Sequence, residues 1–453
     1  MTKSPALALH ALHALLALLA LAALSAACAV DDEPFDEDLD QMEIEGGSAT
    51  WLFPAVGTLS SGCTASLIQP RTLLTAAHCV EGSQTLSFRA GGADYLAIRE
   101  SSHPYYASGN PDFDLAVLTL DRAAGVAPMR IDYAGALKVG DAIQIIGFGG
   151  TEADPSFGVK RAGKNVIDRI EQRTFRYQDD QGATVCAGDS GGPTLIAGDR
   201  IAGVHSRSLC GAHSTDVRVA STRAWIMDQA VYPFPHTSAF VAQQYRDLLA
   251  REPDSSGLWH RVWQLNEGYL QPAGVATALI GSAEAYEVIA PVVRTYHGLL
   301  LRAPDPAGLD YWLGQVRAGA PRGAIVGAFV GSPEFQQRTA HLDSSGYVTY
   351  LYVAILGRAP DAGGLAYWVG QLDSGAISRA GMAQAFLDSP EAVGRFQHDV
   401  VVSVAYARLL RRSPDAAGYA YWRDGLRSRA LSIESLMSSF LNGSEYAARF
   451  GGR

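Results

Sequence analysis

Residues 188–193 read Gly188-Asp189-Ser190-Gly191-Gly192-Pro193, one serine set among glycines. Glycine lets a backbone turn tightly and come close to a ligand. Two shorter signals precede it, Thr75-Ala76-Ala77-His78-Cys79 and Asp114-Leu115-Ala116-Val117. Around them, residues 44 to 232 carry short apolar runs such as Ser66-Leu67-Ile68, Leu115-Ala116-Val117-Leu118 and Ile143-Gln144-Ile145-Ile146. Gly, Pro, Asp and Ser separate these runs. The pattern predicts many short strands, hence an all-β barrel or sandwich. Residues 223–229 read as a short closing helix.

The three signals stand in the order His, Asp, Ser with matching cysteines. Together they resemble the trypsin/chymotrypsin family of serine proteases across residues 44–232. The resemblance implies a chymotrypsin-like double β-barrel and a serine endopeptidase acting on protein or peptide substrates. His78 would take the proton of the Ser190 hydroxyl, and Asp114 would orient the imidazole and stabilise its cation. The backbone N–H groups of Gly188 and Ser190 would hold the oxyanion. Asp112, two residues before Asp114, is read as solvated. His103, in His103-Pro104-Tyr105, is read as structural. Cys63–Cys79 would tie a strand to the His78 loop, and Cys186–Cys210 would brace the pocket beside Ser190.

Activation by a cut is implied as well. Ile44-Glu45-Gly46-Gly47 resembles the family's new N-terminus, whose ammonium would pair with Asp189. The cut would follow Glu43, where the family usually has Arg or Lys. Thr184 takes the position at the base of the specificity pocket, which argues against Arg or Lys at P1. The strand Gly203-Val204-His205-Ser206-Arg207-Ser208 resembles the pocket wall. Its histidine is similar to that of the glutamyl-endopeptidase branch. Thr184, His205, Ser208 and Ser214 would bind a substrate carboxylate, and cleavage after Glu would permit self-activation at Glu43. A small polar pocket for Ala, Ser or Val is the other reading. Arg207 stands where the family commonly has an aromatic, which leaves this strand's alignment open by one residue.

The 453-residue chain exceeds what one core organises, and its 48 % hydrophobic, 18 % charged composition is that of a folded chain, not a disordered one. Residues 1–29 resemble a signal peptide, with an apolar run from Leu15 to Ala27. Cleavage after Ala29 and lipidation of Cys28 both remain open, the second being the one membrane attachment expected. No other run is long enough to span a bilayer. Residues 30–43 read as an acidic propeptide. Eight of the thirteen residues from Asp31 to Glu43 are acidic, and most of the net charge of −10 lies here. No basic patch points to nucleic acid, and neither a cofactor nor a metal is expected.

After a linker at 233–238, an all-α repeat domain spans 239–450. Arg-x-Pro-Asp-x-x-Gly recurs with its aspartates at Asp254, Asp305, Asp361 and Asp415. Tyr311-Trp312, Tyr367-Trp368 and Tyr421-Trp422 follow in three copies, and the first copy has His260-Arg261. The aromatics are expected in the core. Ser332-Pro333-Glu334 and Ser389-Pro390-Glu391 read as helix starts, with the glutamates complementing the helix dipole. The repeats resemble a bacterial domain of unknown function, loosely similar to phycobilisome-linker repeats. A protein or surface ligand is their expected partner.

Overall fold

The computed structural model describes residues 44, 47–82, 85–132, 134–151, 157–196 and 199–451. The signal peptide, Cys28, the acidic propeptide and Glu43 lie outside the described residues.

Fifteen strands form two sheets among the described residues. They are β1 (Ser48–Ala49), β2 (Val56–Leu59), β3 (Thr64–Gln69), β4 (Thr72–Thr75), β5 (Ser87–Ala90), β6 (Ala93–Ser102) and β7 (Ala116–Leu120). Then follow β8 (Arg130–Ile131), β9 (Ala142–Gly147), β10 (Arg161–Val166), β11 (Arg169–Ile170) and β12 (Thr174–Gln178). The last three are β13 (Pro193–Ile196), β14 (Arg200–Leu209) and β15 (His213–Arg218). β2-β3-β4-β7-β6-β5 closes into a barrel, and the other nine strands form a sheet in which β8 pairs in parallel with β14.

Both sheets bury what the short apolar runs supply. Leu67, Leu73, Leu74, Phe88 and Leu118 fill the barrel. Ile143, Ile145, Phe175 and Tyr177 fill a second core. Each such side chain contributes about 1.5–3 kcal/mol by leaving water. This is the chymotrypsin-like architecture, with a helical region after it. Cys63–Cys79 and Cys186–Cys210 are both formed.

From Met227 to Tyr446 one apolar core runs through all four repeats. Helix Pro272–Ile280 packs on Ile433–Leu441, and Arg322–Val330 packs on Arg379–Leu387. The first repeat therefore meets the fourth, and the second meets the third. The Arg-x-Pro-Asp-x-x-Gly signature builds one corner in every copy. In the second, Asp305 caps the helix Pro306–Arg317 by accepting from Gly308 N (2.8 Å). Arg302 lies over the Tyr296 ring (5.2 Å) and donates to both Glu334 oxygens (3.0 and 3.1 Å). Gly308 is required because a Cβ there would collide with the Tyr296 hydroxyl. Arg251–Glu284, Arg358–Glu391 and Arg412–Glu445 repeat the pair.

Two sequence readings change here. Trp312, Trp368 and Trp422 pack against the core, but Tyr311, Tyr367 and Tyr421 stand 59 %, 58 % and 60 % exposed. Successive residues on a helix point about 100° apart, so adjacent aromatics cannot both face the same core. The stretch 233–238 is packed rather than free. Phe234 is buried against Phe240, Tyr446 and Phe450.

Candidate active site

His78 sits in a single turn, Ala77–Cys79, that follows β4. The Cys63–Cys79 bridge ties that turn to the start of β3. Asp114 ends the turn Pro111–Phe113, just before β7. β4 and β7 are antiparallel neighbours with Thr75 opposite Ala116, and this register brings the two side chains together. Asp114 Oδ2 lies 2.7 Å from His78 Nδ1, and Oδ1 accepts from the His78 backbone N–H at 2.9 Å. The imidazole is thereby held through ring and backbone at once. Asp114 is 4 % exposed, and its third donor is Ser206 Oγ at 2.7 Å.

Asp112 takes no part in this network. Its N–H donates to Asn110 Oδ1 in the turn. His103 is buried between Phe113 (4.6 Å) and Trp225 (4.7 Å). Burial holds its pKa below the ordinary value, with Arg173 adding to the effect.

Ser190 follows the Cys186–Cys210 bridge and is half-buried. Its carbonyl accepts from Thr64 N (2.9 Å), while Thr64 Oγ1 donates to the Gly188 carbonyl (2.9 Å). These bonds dock the 188–190 turn on the barrel that carries His78. Gly188 has φ +96°, and a Cβ there would clash with Gly149 and Phe157. Among the described residues, no acceptor takes the N–H groups of Gly188 and Ser190. Both are therefore available to an oxyanion. No hydrogen bond joins Ser190 Oγ to His78 Nε2, and the ring's contacts are Asp114 at Nδ1 and Cys79 Sγ at Nε2 (3.7 Å).

Asp189 is 1 % exposed and accepts from Gly149 N (2.7 Å) and Cys186 N (2.8 Å). Burial raises its pKa, and the two amides pull the other way. Ile44 is buried in the second core with Ile143, Phe175 and Tyr177. In the uncut chain its nitrogen belongs to a peptide bond and carries no charge to offer Asp189.

Three of the four residues expected in the pocket, His205, Ser208 and Ser214, lie on β14 and β15, and Thr184 precedes the Cys186 bridge. His205 pairs opposite Asp216, and Ser208 pairs opposite Ser214. His205 is fully buried, with Nδ1 3.1 Å from both Asp216 oxygens and 3.4 Å from the Tyr177 hydroxyl. Thr194 Oγ1 also donates to Asp216. Ser214 Oγ accepts from Val185 N (3.1 Å), next to the buried Thr184. Ser208 is exposed. His205 Nε2 and Thr184 Oγ1 are buried polar atoms with no partner. Such orphans cost about 1–3 kcal/mol each and mark a place for a ligand or water.

Three participants were missed by the sequence reading. Ser206 was quoted in its strand without a role. Asp216 and Tyr177 gave no signal, because they reach His205 only through strand pairing.

Two family models match this chain. The one described as trypsin matches residues 43–226, and the domain of unknown function DUF4214 matches 229–289, 292–339, 326–396 and 397–450. Trypsin 5G1 of Aedes aegypti is 27 % identical over 201 residues, covering 37 % of this chain and 74 % of that protein. Chymotrypsin of Phaedon cochleariae is 30 % identical over 175 residues, covering 32 % and 63 %. Among solved structures, the mouse-brain serine protease neuropsin aligns with a TM-score of 0.36 at 23 % identity, over 40 % of this chain and 95 % of that one. Residues 43–226 are thus a trypsin-family serine protease domain, and residues 229–450 are DUF4214 repeats.

Proposed function

We propose that the chain is an exported serine endopeptidase that cleaves after glutamate. The hydrolytic reading rests on His78 held by Asp114, which Ser206 anchors in turn, and on the Gly188 and Ser190 N–H groups that no acceptor takes among the described residues. Ser190 Oγ attacks the scissile carbonyl as His78 Nε2 accepts its proton. The N–H groups of Gly188 and Ser190 stabilise the oxyanion. His78 then protonates the leaving amine, and water repeats the sequence on the acyl-enzyme.

The glutamate preference rests on one observation, the buried and unpartnered His205 Nε2 and Thr184 Oγ1, with no carboxylate at position 184 to favour a basic side chain. Asp216 engages Nδ1, which leaves Nε2 as the ring atom for a ligand. Activation by a cut at Glu43–Ile44 is part of this reading, supported by the buried Ile44 side chain and the buried Asp189 carboxylate. A carboxylate in that setting gains from a cation. The signal-like residues 1–29 support export, with Cys28 as a lipid site in a cell-envelope form. The repeats are assigned to binding a protein or surface.

A fluorophosphonate probe should label the processed chain and not Ser190→Ala. Absence of labelling in correctly cut protein would sink the enzymatic reading. It would favour an adhesion protein using the protease fold as scaffold. Cleavage of a peptide library should peak at P1 Glu, and a peak at Arg, Lys or aromatics would refute the pocket assignment.

A further inference from the structure

Between the buried His205 and the exposed Ser208, β14 changes register against β15. His205 lies opposite Asp216, yet Arg207 lies opposite Thr215. The extra residue is Ser206, which turns to Asp114. This contact sets Arg207 just beyond the triad. Arg207 is exposed, and its guanidinium lies over Gly109, where a Cβ would sit 3.3 Å from Nη2. It has no ion pair or side-chain hydrogen bond among the described residues. Together with His78, Tyr106, Ser108, Asn110 and Asp114 it lines a cleft of about 210 Å³.

We infer that this cleft is a second specificity site, in which Arg207 pairs with an Asp or Glu side chain of the substrate at a position other than P1. The inference rests on the peptidase reading above but not on the P1 preference.

Charge supports it. The carboxylate in the cleft wall, Asp114, is buried and already holds His78 and Ser206. Glu81, a second carboxylate near the Tyr106 hydroxyl, is not part of the cleft lining. Arg207 is thus the uncommitted charge in the cleft, and its planar fork suits a carboxylate. The cleft is lined by the catalytic imidazole and by Ser206 of β14, so a side chain of a peptide held at the triad is within its reach. The chain's own sequence before Ile44 is of the required kind, with Asp36, Glu37, Asp38 and Asp40 preceding Glu43.

The test is a positional-scanning peptide library, with no position fixed, applied to the full processed chain. At one position outside P1, acidic residues should be cleaved about threefold to fivefold faster than their amides, as an exposed ion pair allows. The preference should shrink at high salt. It should vanish in Arg207→Gln and turn toward Lys in Arg207→Glu. A preference absent from the wild-type chain, or unchanged in both variants, overturns the proposal. If the chain cleaves nothing, the peptidase reading fails separately. Fluorescence anisotropy with Ser190→Ala then decides, using a labelled decapeptide rich in Asp and Glu against its Asn and Gln counterpart. Tighter, salt-sensitive binding of the acidic peptide that is lost on adding Arg207→Glu supports the cleft. Equal binding of the two peptides overturns it.

Discussion

Asp114 accepts from the His78 backbone, the His78 ring and Ser206, so each contact has its own expected cost on removal. Asp114→Asn keeps the shape but favours the wrong tautomer, and kcat should fall about 10⁴-fold. Ser206→Ala removes one donor to a carboxylate and leaves the ring contact, so kcat/KM should fall about tenfold to a hundredfold. Steady-state kinetics on one peptide separates the two, and equal losses would show that Ser206 does more than hold Asp114. The triad itself was legible because each member carries a local sequence signal. Ser206, Asp216 and Tyr177 were not, since their roles depend on which residue of a neighbouring strand lies opposite. In the repeats, His297 makes a separate residue-scale case. Its Nε2 meets Ser403 Oγ at 2.8 Å, and burial lowers its pKa from 6.5 to about 4, with Arg423 assisting and Asp399 opposing. The unfolded imidazole gains its proton near pH 6.5 and the folded one only near 4. Between these values the unfolded chain binds more protons, so stability falls as pH falls, by about 3 kcal/mol across the window. Thermal melts of the full chain from pH 7 to 4 should show this slope, and His297→Gln should flatten it.

At the scale of the element, the repeat corner explains why Asp and Gly recur together. The aspartate's capping role was open to sequence reasoning, because Asp before a helix has a known local use. The role of Glu334 and Glu391 was read only in part. Their helix-start position suggested the dipole, whereas each also takes both oxygens to an arginine 32 or 33 residues earlier. Such a partner is invisible until the helices pack. Glycines within one helix should now divide sharply. Gly308→Ala should cost about 1–3 kcal/mol, since its Cβ meets the Tyr296 hydroxyl. Gly314→Ala, in the same helix with nothing within 4 Å, should gain about 0.5–1 kcal/mol. Chemical denaturation of the two variants checks the contrast, and similar shifts would refute the corner as the reason for the motif.

At the scale of the whole molecule, the sequence separated protease from repeats by a change of composition, and the contacts cross that line. Asp247 of the first repeat is buried and bonded to Arg449 (2.9 and 3.1 Å) and Tyr446 (3.2 Å) of the last, so the repeats close on themselves. Arg449→Met removes the cation paired with that buried carboxylate, leaving it to Tyr446 and Gln243, and should cost about 3 kcal/mol. The protease contributes too. In its closing helix, Arg223–Ala230, Ile226 belongs to the barrel core, while Met227 and the following Val231 belong to the repeat core. Arg71 Nη1 donates to Asn442 O (3.3 Å), and Arg223 pairs with Glu267. Truncation after Tyr232 would therefore expose Met227 and Val231 and leave both arginines without these partners. The isolated protease should melt lower than the protease in the full chain and should associate through that face, as contiguous exposed apolar surface does. Replacing Met227 and Val231 with Lys in the truncated protein should restore a monomer by light scattering. Hydrogen exchange should then show loosened amides in the closing helix, with the β4–β7 pairing that positions His78 and Asp114 still protected. A truncated protease that stays monomeric with an unchanged melting temperature would mean that the two parts touch without depending on each other.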